Sequence, residues 1–503
     1  MPAKKKTWIK KPPVVRTPFR PAYGSSDEQK PILQETRFGD ANIHIDAGPG
    51  CGKSTTMLWA MTVDPSKNPA CLSMGKAIVE EIEPRCPINM TVGTAHRFGR
   101  SALVKQFGKQ PYLFQAKVKT LFKELWPSLN PDNKTGNEKG AAYSFMYEFV
   151  NLVDKMRLNL ADENSMDDIV KIIMQYNISI TDVNMVAMML PIIFQKILEN
   201  PLSIDFTDMM WIPIRMNLEI PKFDMIYVDE RQDLNSLMIE YVNRMYNGRI
   251  MTVGDKFQSI YGFGGADIHS TERLIGRFPG IEFPLKTCYR CGKNIVDKVN
   301  TIYPGLKAFD GNCDGEVIEA DEIDYDMPDG SMILSRRNAM LVKPCFALLR
   351  KGRKAIIKGR AIGEGLIRLV ESLKANSTID LIDKVESYRD GRLEKLMAKE
   401  DIPQAQIDNT NDECQCVIEI AMACNSVQEV IDRINFIFDE STQGIVLSSI
   451  HRSKGLEADE VTIIDYARVR ISNEKMSPEE HTQEKNLEYV ALSRAKKKLT
   501  LIL

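Results

Sequence analysis

A β-rich run, "NIHIDA" (42–47), passes without a spacer into "GPGCGKSTT" (48–56) and then into a stretch with helical spacing. No other feature constrains the fold as much. A glycine-rich turn between a strand and a helix presents backbone N–H groups at a helix N-terminus, where they can surround a phosphate. "AGPGCGKSTT" (47–56) fits the phosphate-binding loop pattern with Ala47 in its first position. Gly48, Gly50 and Gly52 let the backbone approach, and the loop residues through Cys51 and Thr55 surround the phosphates. Lys53 reaches the β- and γ-phosphates, and the Ser54 hydroxyl binds Mg²⁺.

The rest of the chain has the same grammar. Short apolar runs at 223–230, 249–255, 444–451, 461–466 and 499–503 alternate with amphipathic helical stretches, which indicates α/β layers with mainly parallel sheets. Residues 105–215 and 365–440 interrupt that alternation with helical periodicity, as in "AYSFMYEFVNLVDKMRL" (142–158) and "VQEVIDRINFIF" (427–438). At 503 residues the chain exceeds one hydrophobic core, so about two to four domains are expected. Hydrophobic residues at 43% and charged residues at 27% exclude wholesale disorder and a fibrous class. The longest apolar run, "MVAMMLPIIF" (185–194), is too short to cross a bilayer, and the N-terminus lacks a secretory core. Ten scattered cysteines fit a reducing compartment, and the single CxxC, Cys288 and Cys291, has no second ligand pair at zinc-like spacing.

Net charge is −2, but its distribution is uneven. Residues 1–20 hold seven Lys or Arg and no acid, 350–360 hold six basic residues in eleven, and 314–329 hold eight Asp or Glu. Basic stretches of this kind can contact phosphates, although a solvated tail and solvated strand edges explain each one taken alone.

"IYVDERQDL" (226–234) supplies the second half of a nucleotide site. Its apolar strand ends in Asp229 and Glu230, so both carboxylates emerge at the C-terminal edge, where ligands bind in open α/β sheets. Asp229 is the candidate Mg²⁺ ligand beside Ser54, and Glu230 the candidate that polarises water for γ-phosphate hydrolysis. Charge on the γ-phosphoryl oxygens also calls for cations, and Arg290 and Arg494 are the candidates.

These blocks, in this order, resemble the UvrD/Rep/PcrA-type DNA helicases of superfamily one. "DEQ" (27–29) is similar to the adenine-sensing motif. "VGTAHRFG" (92–99), "VDERQD" (228–233), "GDKFQSIYGF" (254–263), "CYR" (288–290), "SSIHRSKGLEADEV" (448–461) and "EKNLEYVALSRAKKKL" (484–499) follow. "LSMGKAIVEEI" (72–82) resembles most the F-box DNA helicase branch and its phage and bacterial relatives. The resemblance implies two RecA-like P-loop domains with parallel sheets, each carrying a mostly helical insertion. The first spans 25–104 and 216–283 around an accessory insertion at 105–215. The second spans 284–503 with a reduced insertion at about 365–440, and residues 1–24 are an extended or disordered basic tail.

It further implies that Gln29 reads adenine, Tyr289 stacks on it, Gln258 senses the γ-phosphate, Arg290 and Arg494 reach that phosphate, and Glu457 contacts the ribose. His96, Phe98, Tyr261, Phe263 and His451 would line a single-strand track. The implied activity is an ATP- and Mg²⁺-dependent 3′→5′ DNA helicase or translocase acting on single strands and single/double-strand junctions. A protein loading partner fits such a motor, and a membrane does not. The alternative is a nucleotide-gated clamp that binds single strands without unwinding them. A nuclease-bearing helicase is not expected, since the chain ends nine residues after Arg494. The setting would be the cytoplasm of a bacterial or phage-infected cell, or the nucleus of a eukaryotic one.

Three positions depart from the family. Gly264 stands where Arg usually follows the aromatic of "QSIYGF", Arg231 replaces the usual Ala after Asp-Glu, and Asn486 replaces a usual Arg.

Overall fold

The computed structural model describes residues 14–21, 24–73, 75–180, 182–260, 269–397, 404–439, 444–469 and 478–503. Two compact units divide the chain, residues 1–47 with 52–285 and residues 48–51 with 286–503. Each holds a six-stranded sheet whose strand pairs are all parallel.

In the first unit the strand order is Thr91–Thr94, Pro69–Ser73, Phe223–Val228, Tyr246–Gly254, Asn42–Ala47, Gly280–Leu285. The strand that feeds the phosphate loop is central, with Ile43 opposite both Met251 and Ile281. It does not pair with the strand that ends in the carboxylates, because Tyr246–Gly254 runs between them. Both neighbours cover its edges, and even a histidine is buried there. The two ring nitrogens of His44 are satisfied by Thr252 Oγ1 at 2.8 Å and the Phe278 carbonyl at 2.7 Å.

Helices Ala95–Phe107, Lys117–Leu125, Gly136–Asn159, Met166–Gln175, Val183–Glu199 and Asp208–Arg215 lie between the strands ending at Thr94 and beginning at Phe223. Their apolar faces join the sheet in one core, in which Phe149, Ile193 and Trp211 belong with Leu72 and Val228. A buried charge cluster sits among them. Asp208 accepts from Lys117 at 2.8 Å and from Arg157 at 2.6 Å, and Arg157 also meets Asp205 at 2.9 Å. Such a cluster stabilises only while complete, since a buried pair that loses one member costs about 3–5 kcal/mol.

In the second unit the order is Glu316–Ala320, Ala495–Ile502, Ala458–Ile463, Met332–Ser335, Ile445–Ser449, Ala355–Ile357. Four helices, Arg360–Leu373, Thr378–Met397, Gln404–Ala421 and Val427–Ile437, separate the last two strands in sequence. Val370, Val385, Val417 and Ile434 bury against Leu447 and Ile357 in this unit's core.

Two observations bear on the charge distribution. Residues 14–21 are tied to residues 84–90. The Thr17 and Phe19 N–H groups donate to the Pro84 and Arg85 carbonyls at 2.8 Å, and Arg16 Nη1 donates to the Pro87 and Met90 carbonyls at 2.8 and 2.7 Å. The remainder of the basic tail, residues 1–13 and 22–23, lies outside the described residues. The basic run at 350–360 faces the acidic run, with Lys351 on Asp326 at 2.9 Å and Arg353 on Asp329 at 2.8 Å. These exposed pairs are worth little individually, but they engage two of the cations a polyanion would need. Among the described residues no helix is long and apolar enough to cross a membrane.

Candidate nucleotide site

The phosphate loop ends at Gly52, whose φ of 77° lies in the left-handed region that strains any residue with a Cβ. Gly52 is also the N-cap of helix Lys53–Val63, and no side chain caps that helix. A helix left uncapped in this way keeps its N-terminal dipole available to an anion. Lys53 Nζ donates back to the Ala47 carbonyl at 3.4 Å, while Ser54 and Thr55 are exposed. Cys51 points inward, its thiol 3.7 Å from the Pro49 carbonyl, so only its backbone is available to a phosphate.

Gln29 opens helix Gln29–Phe38 and is buried beside this turn. Its Nε2 donates to Thr56 Oγ1 at 2.9 Å, and its Oε1 accepts from the Ser26 N–H at 3.1 Å. One N–H and one lone pair of the amide are left over, the pairing an adenine edge requires.

At the carboxylate edge the Asp229 N–H extends the ladder to Leu72 O at 3.1 Å, and its Oδ1 accepts from the Glu230 N–H at 3.0 Å. Glu230 sits at φ 52°, ψ 49°, a left-handed conformation that costs a non-glycine residue of order 1–3 kcal/mol. Its side chain is fixed as well. Gln232 Nε2 donates to Glu230 Oε2, Gln232 Oε1 accepts from the Asp255 N–H at 3.1 Å, and Asp255 Oδ2 accepts from Gln258 Nε2 at 2.8 Å. One chain of hydrogen bonds thus runs from Glu230 to Gln258.

Gly254 makes that chain possible, because a Cβ there would lie 2.4 Å from Gln232 Oε1 and 3.1 Å from the Arg231 backbone nitrogen. Burial pushes the Asp255 carboxyl above its ordinary value, and the nearby Lys53 ammonium opposes the rise. Arg231, where the family usually has Ala, is 1% exposed and reaches Asp46 at 3.4 Å. Among the described residues its Nε and Nη1 have no hydrogen-bond partner.

In the second unit Arg290 Nε meets Glu457 Oε2 at 2.6 Å, and Lys496 takes the other carboxylate oxygen at 2.7 Å. Burial raises the Glu457 carboxyl, but Lys496, Arg290 and Arg494 together outweigh it and leave the group below its ordinary value. The residue expected to meet a ribose is therefore engaged by cations on both oxygens. Arg290 Nη1 donates to Ser493 O at 3.4 Å.

Arg494 is buried. Its Nε donates to Val490 O at 2.9 Å, Nη1 to Leu456 O at 3.2 Å and Nη2 to Ser493 Oγ at 2.9 Å. Tyr289 is 42% exposed, with its ring 5.1 Å from Phe309. Asn486, in the place of a usual Arg, is buried and accepts from the Tyr303 hydroxyl at 2.9 Å.

The candidate single-strand residues fare differently. Phe98 is a core residue, 6% exposed and packed edge-on against Phe223 at 5.7 Å, so it offers no free ring face to a base. This corrects the sequence expectation. His96 is half-buried against Phe206 at 5.6 Å, and burial lowers its pKa. His451 lies in the turn Ile450–Ser453, and burial, then Arg336, lower its pKa to about 4. Tyr261, Phe263 and Gly264 lie outside the described residues. Sequence reasoning also missed the roles of Gln232, Asp255 and Lys496. All three lie inside motifs it quoted, but nothing in a linear string marks the Gln232–Asp255 bond or the Lys496–Glu457 pair.

Among the described residues no cluster of three or more His, Cys, Asp or Glu could hold a metal by itself. Ser54 and Asp229, the donors expected from the sequence, offer the one or two protein oxygens with which Mg²⁺, keeping water and phosphate ligands, would be held.

A phosphate loop and a carboxylate pair on one parallel sheet, with a second parallel sheet in the other unit, define a P-loop protein of two RecA-like domains. The comparisons are more specific. The family profile described as UvrD/REP helicase N-terminal domain matches residues 67–279, and the UvrD-like helicase C-terminal domain matches residues 366–503. The chain belongs to the UvrD-like helicase family.

F-box DNA helicase protein 1 of Schizosaccharomyces pombe is 23% identical over 95% of this chain and 57% of its own length. DNA helicase II of Escherichia coli is 35% identical over 19% of this chain and 15% of its own length. The chain thus spans little more than half of the first relative and a small part of the second. A solved arterivirus nonstructural protein 10 helicase covers 92% of this chain and 59% of its own, with 9% identity and a TM-score of 0.35, too loose a likeness to argue from.

Proposed function

We propose that this chain is an ATP- and Mg²⁺-dependent DNA motor that moves 3′→5′ on single strands and separates duplex ahead of it. The observation that carries the proposal is the hydrogen-bond chain from Glu230 through Gln232 and Asp255 to Gln258. It couples a carboxylate suited to orienting water with a glutamine suited to sensing the γ-phosphate. A purely nucleotide-binding loop would not require that coupling. The names of the two relatives, both DNA helicases, point the same way.

In this mechanism Lys53 and the Gly48–Thr55 backbone hold the phosphates, Gln29 pairs with adenine and Tyr289 stacks on it. Ser54 and Asp229 would hold Mg²⁺, which neutralises charge on the phosphates when bound. Glu230 accepts a proton from the water it orients, and Gln258, Arg290 and Arg494 stabilise charge on the γ-phosphoryl group. Loss of the γ-phosphate releases Gln258, and the stretch that follows it, with Tyr261 and Phe263, changes its grip on stacked bases. His96 and His451 would border the strand. DNA repair, recombination or replication in a bacterial cytoplasm or a eukaryotic nucleus would use such a motor, loaded by a protein partner.

ATP hydrolysis measured with and without single-stranded DNA tests the reading. The expected result is strong stimulation that Lys53→Ala abolishes. Hydrolysis indifferent to DNA would overturn it, and DNA binding without hydrolysis would leave a nucleotide-gated clamp.

A further inference from the structure

Arg231 follows Glu230 on the carboxylate edge, yet its side chain leads away from that edge. The strand Phe223–Val228 ends three residues earlier, and Tyr246–Gly254 lies between it and Asn42–Ala47. Gly254 ends that middle strand opposite Asp46. A Cβ on Gly254 would lie 2.6 Å from Arg231 Cγ, so the arginine crosses the middle strand through the space a side chain would fill. Its Nη2 then meets Asp46 Oδ1 at 3.4 Å. Asp46 directly precedes Ala47, whose carbonyl accepts from Lys53 Nζ at 3.4 Å. One side chain therefore links the turn that carries Glu230 to the strand that feeds Lys53, although those two strands do not pair.

The contact is unfavourable to hold. The Arg231 side chain is 2% exposed and that of Asp46 is 44% exposed, so the cation bears nearly all the desolvation. Burial lowers its pKa by more than Asp46, Glu282, Asp255 and Glu272 raise it. Among the described residues its Nε and Nη1 have no acceptor. A buried ion compensated this poorly adds little to stability, and an apolar side chain of similar volume is often neutral or stabilising in its place. Its presence calls for a role other than holding the fold.

We propose that Arg231 is a positioning residue for ATP hydrolysis, which holds the backbone of Glu230 at a fixed distance from the strand that feeds the phosphate loop. The inference rests on the function proposed above. Gln232 holds the Glu230 carboxylate, whereas Arg231 holds the backbone beside it by reaching across the sheet to Asp46. The two restraints are separate. Without the second, Glu230 keeps its hydrogen bond, but the water it orients no longer lines up with a phosphate held by Lys53. Misalignment of this kind lowers kcat and leaves ATP binding nearly unchanged, because no atom of Arg231 is assigned to the nucleotide.

The test compares the full wild-type chain with Arg231→Met, Arg231→Lys and Asp46→Asn in DNA-stimulated ATP hydrolysis and in thermal melts. Arg231→Met removes the charge and nearly keeps the volume. It should lower kcat about tenfold with KM for ATP within about twofold, while Tm is unchanged or higher. Arg231→Lys keeps a cation and should recover part of the lost kcat. Asp46→Asn leaves Arg231 in place and should lower kcat to a similar extent, with Tm falling as the buried cation loses its counter-charge. Combining it with Arg231→Met should lower kcat no further, since both changes break one contact. An active wild type with kcat unchanged in Arg231→Met overturns this proposal alone. So does a lower Tm or a failure to fold in Arg231→Met, which would make Arg231 a residue of the fold, and so does a kcat unchanged in Asp46→Asn. A wild type that hydrolyses no ATP would count against the motor reading itself, and this proposal falls with it.

Discussion

The carboxylate edge of the first unit and the cation cluster of the second hold their functional groups by opposite means. Glu230 is fixed twice, by a left-handed backbone and by a buried chain of hydrogen bonds through Gln232, Asp255 and Gln258. Arg290 is part-exposed and held chiefly by one carboxylate that it shares with Lys496. A group that must aim water gains from being locked before substrate arrives. A cation that must engage and release a phosphate in every cycle gains from a contact it can exchange. Arg494 sits between these cases, a cation anchored on neutral oxygens.

Four substitutions or conditions probe that contrast, in falling order of effect. Glu230→Gln should lower kcat by roughly 10²–10⁴ while ATP and single-strand binding persist, checked by steady-state hydrolysis and nucleotide titration. Gln232→Ala should cut the hydrogen-bond chain and lower kcat on the order of 10- to 100-fold with KM nearly constant. A rise in KM instead would place Gln232 in binding rather than in aiming Glu230. Glu457→Gln should change turnover by less than ~tenfold, because a part-exposed ion pair is exchangeable. A loss as large as that of Glu230→Gln would erase the distinction between the two regions.

The smallest effect concerns pH. Burial lowers the folded-state pKa of His44, His96 and His451, the last to about 4. An unfolded histidine titrates near ~6.5. As pH falls below that value the unfolded chain takes up protons that the folded chain refuses. Stability is therefore full above the unfolded pKa and declines toward pH 4. Thermal melts across that window should show Tm falling, and less steeply in His451→Gln. An unchanged slope in the variant would mean that His451 is not buried in its neutral form.

The parts of the site that lie within a few consecutive residues were legible from sequence. The phosphate loop, the Asp229–Glu230 strand end and the Gln258 block each carry their chemistry in one short string. What escaped depends on contacts across the fold. Strands such as "PACLS" (69–73) and "TVGT" (91–94) are too short and mixed to show a period, and they pair only because neighbours bury them. The Gln232–Asp255 bond joins residues 23 apart in sequence. Phe98 was misjudged for a related reason. Within "TAHRFG" it looks like an available ring, but Ala95, Phe98 and Ala102 share one buried face of helix Ala95–Phe107, a spacing visible in the string. The basic run at 350–360 resembles a phosphate track until the fold sets it opposite the acidic run.

The most direct test of the motor claim is ATP-driven strand displacement on duplexes with a 3′ or a 5′ single-stranded tail. The account predicts displacement from the 3′ tail, dependent on ATP and lost in Glu230→Gln. Displacement from the 5′ tail alone, or tight binding to both tails with no displacement, would contradict it.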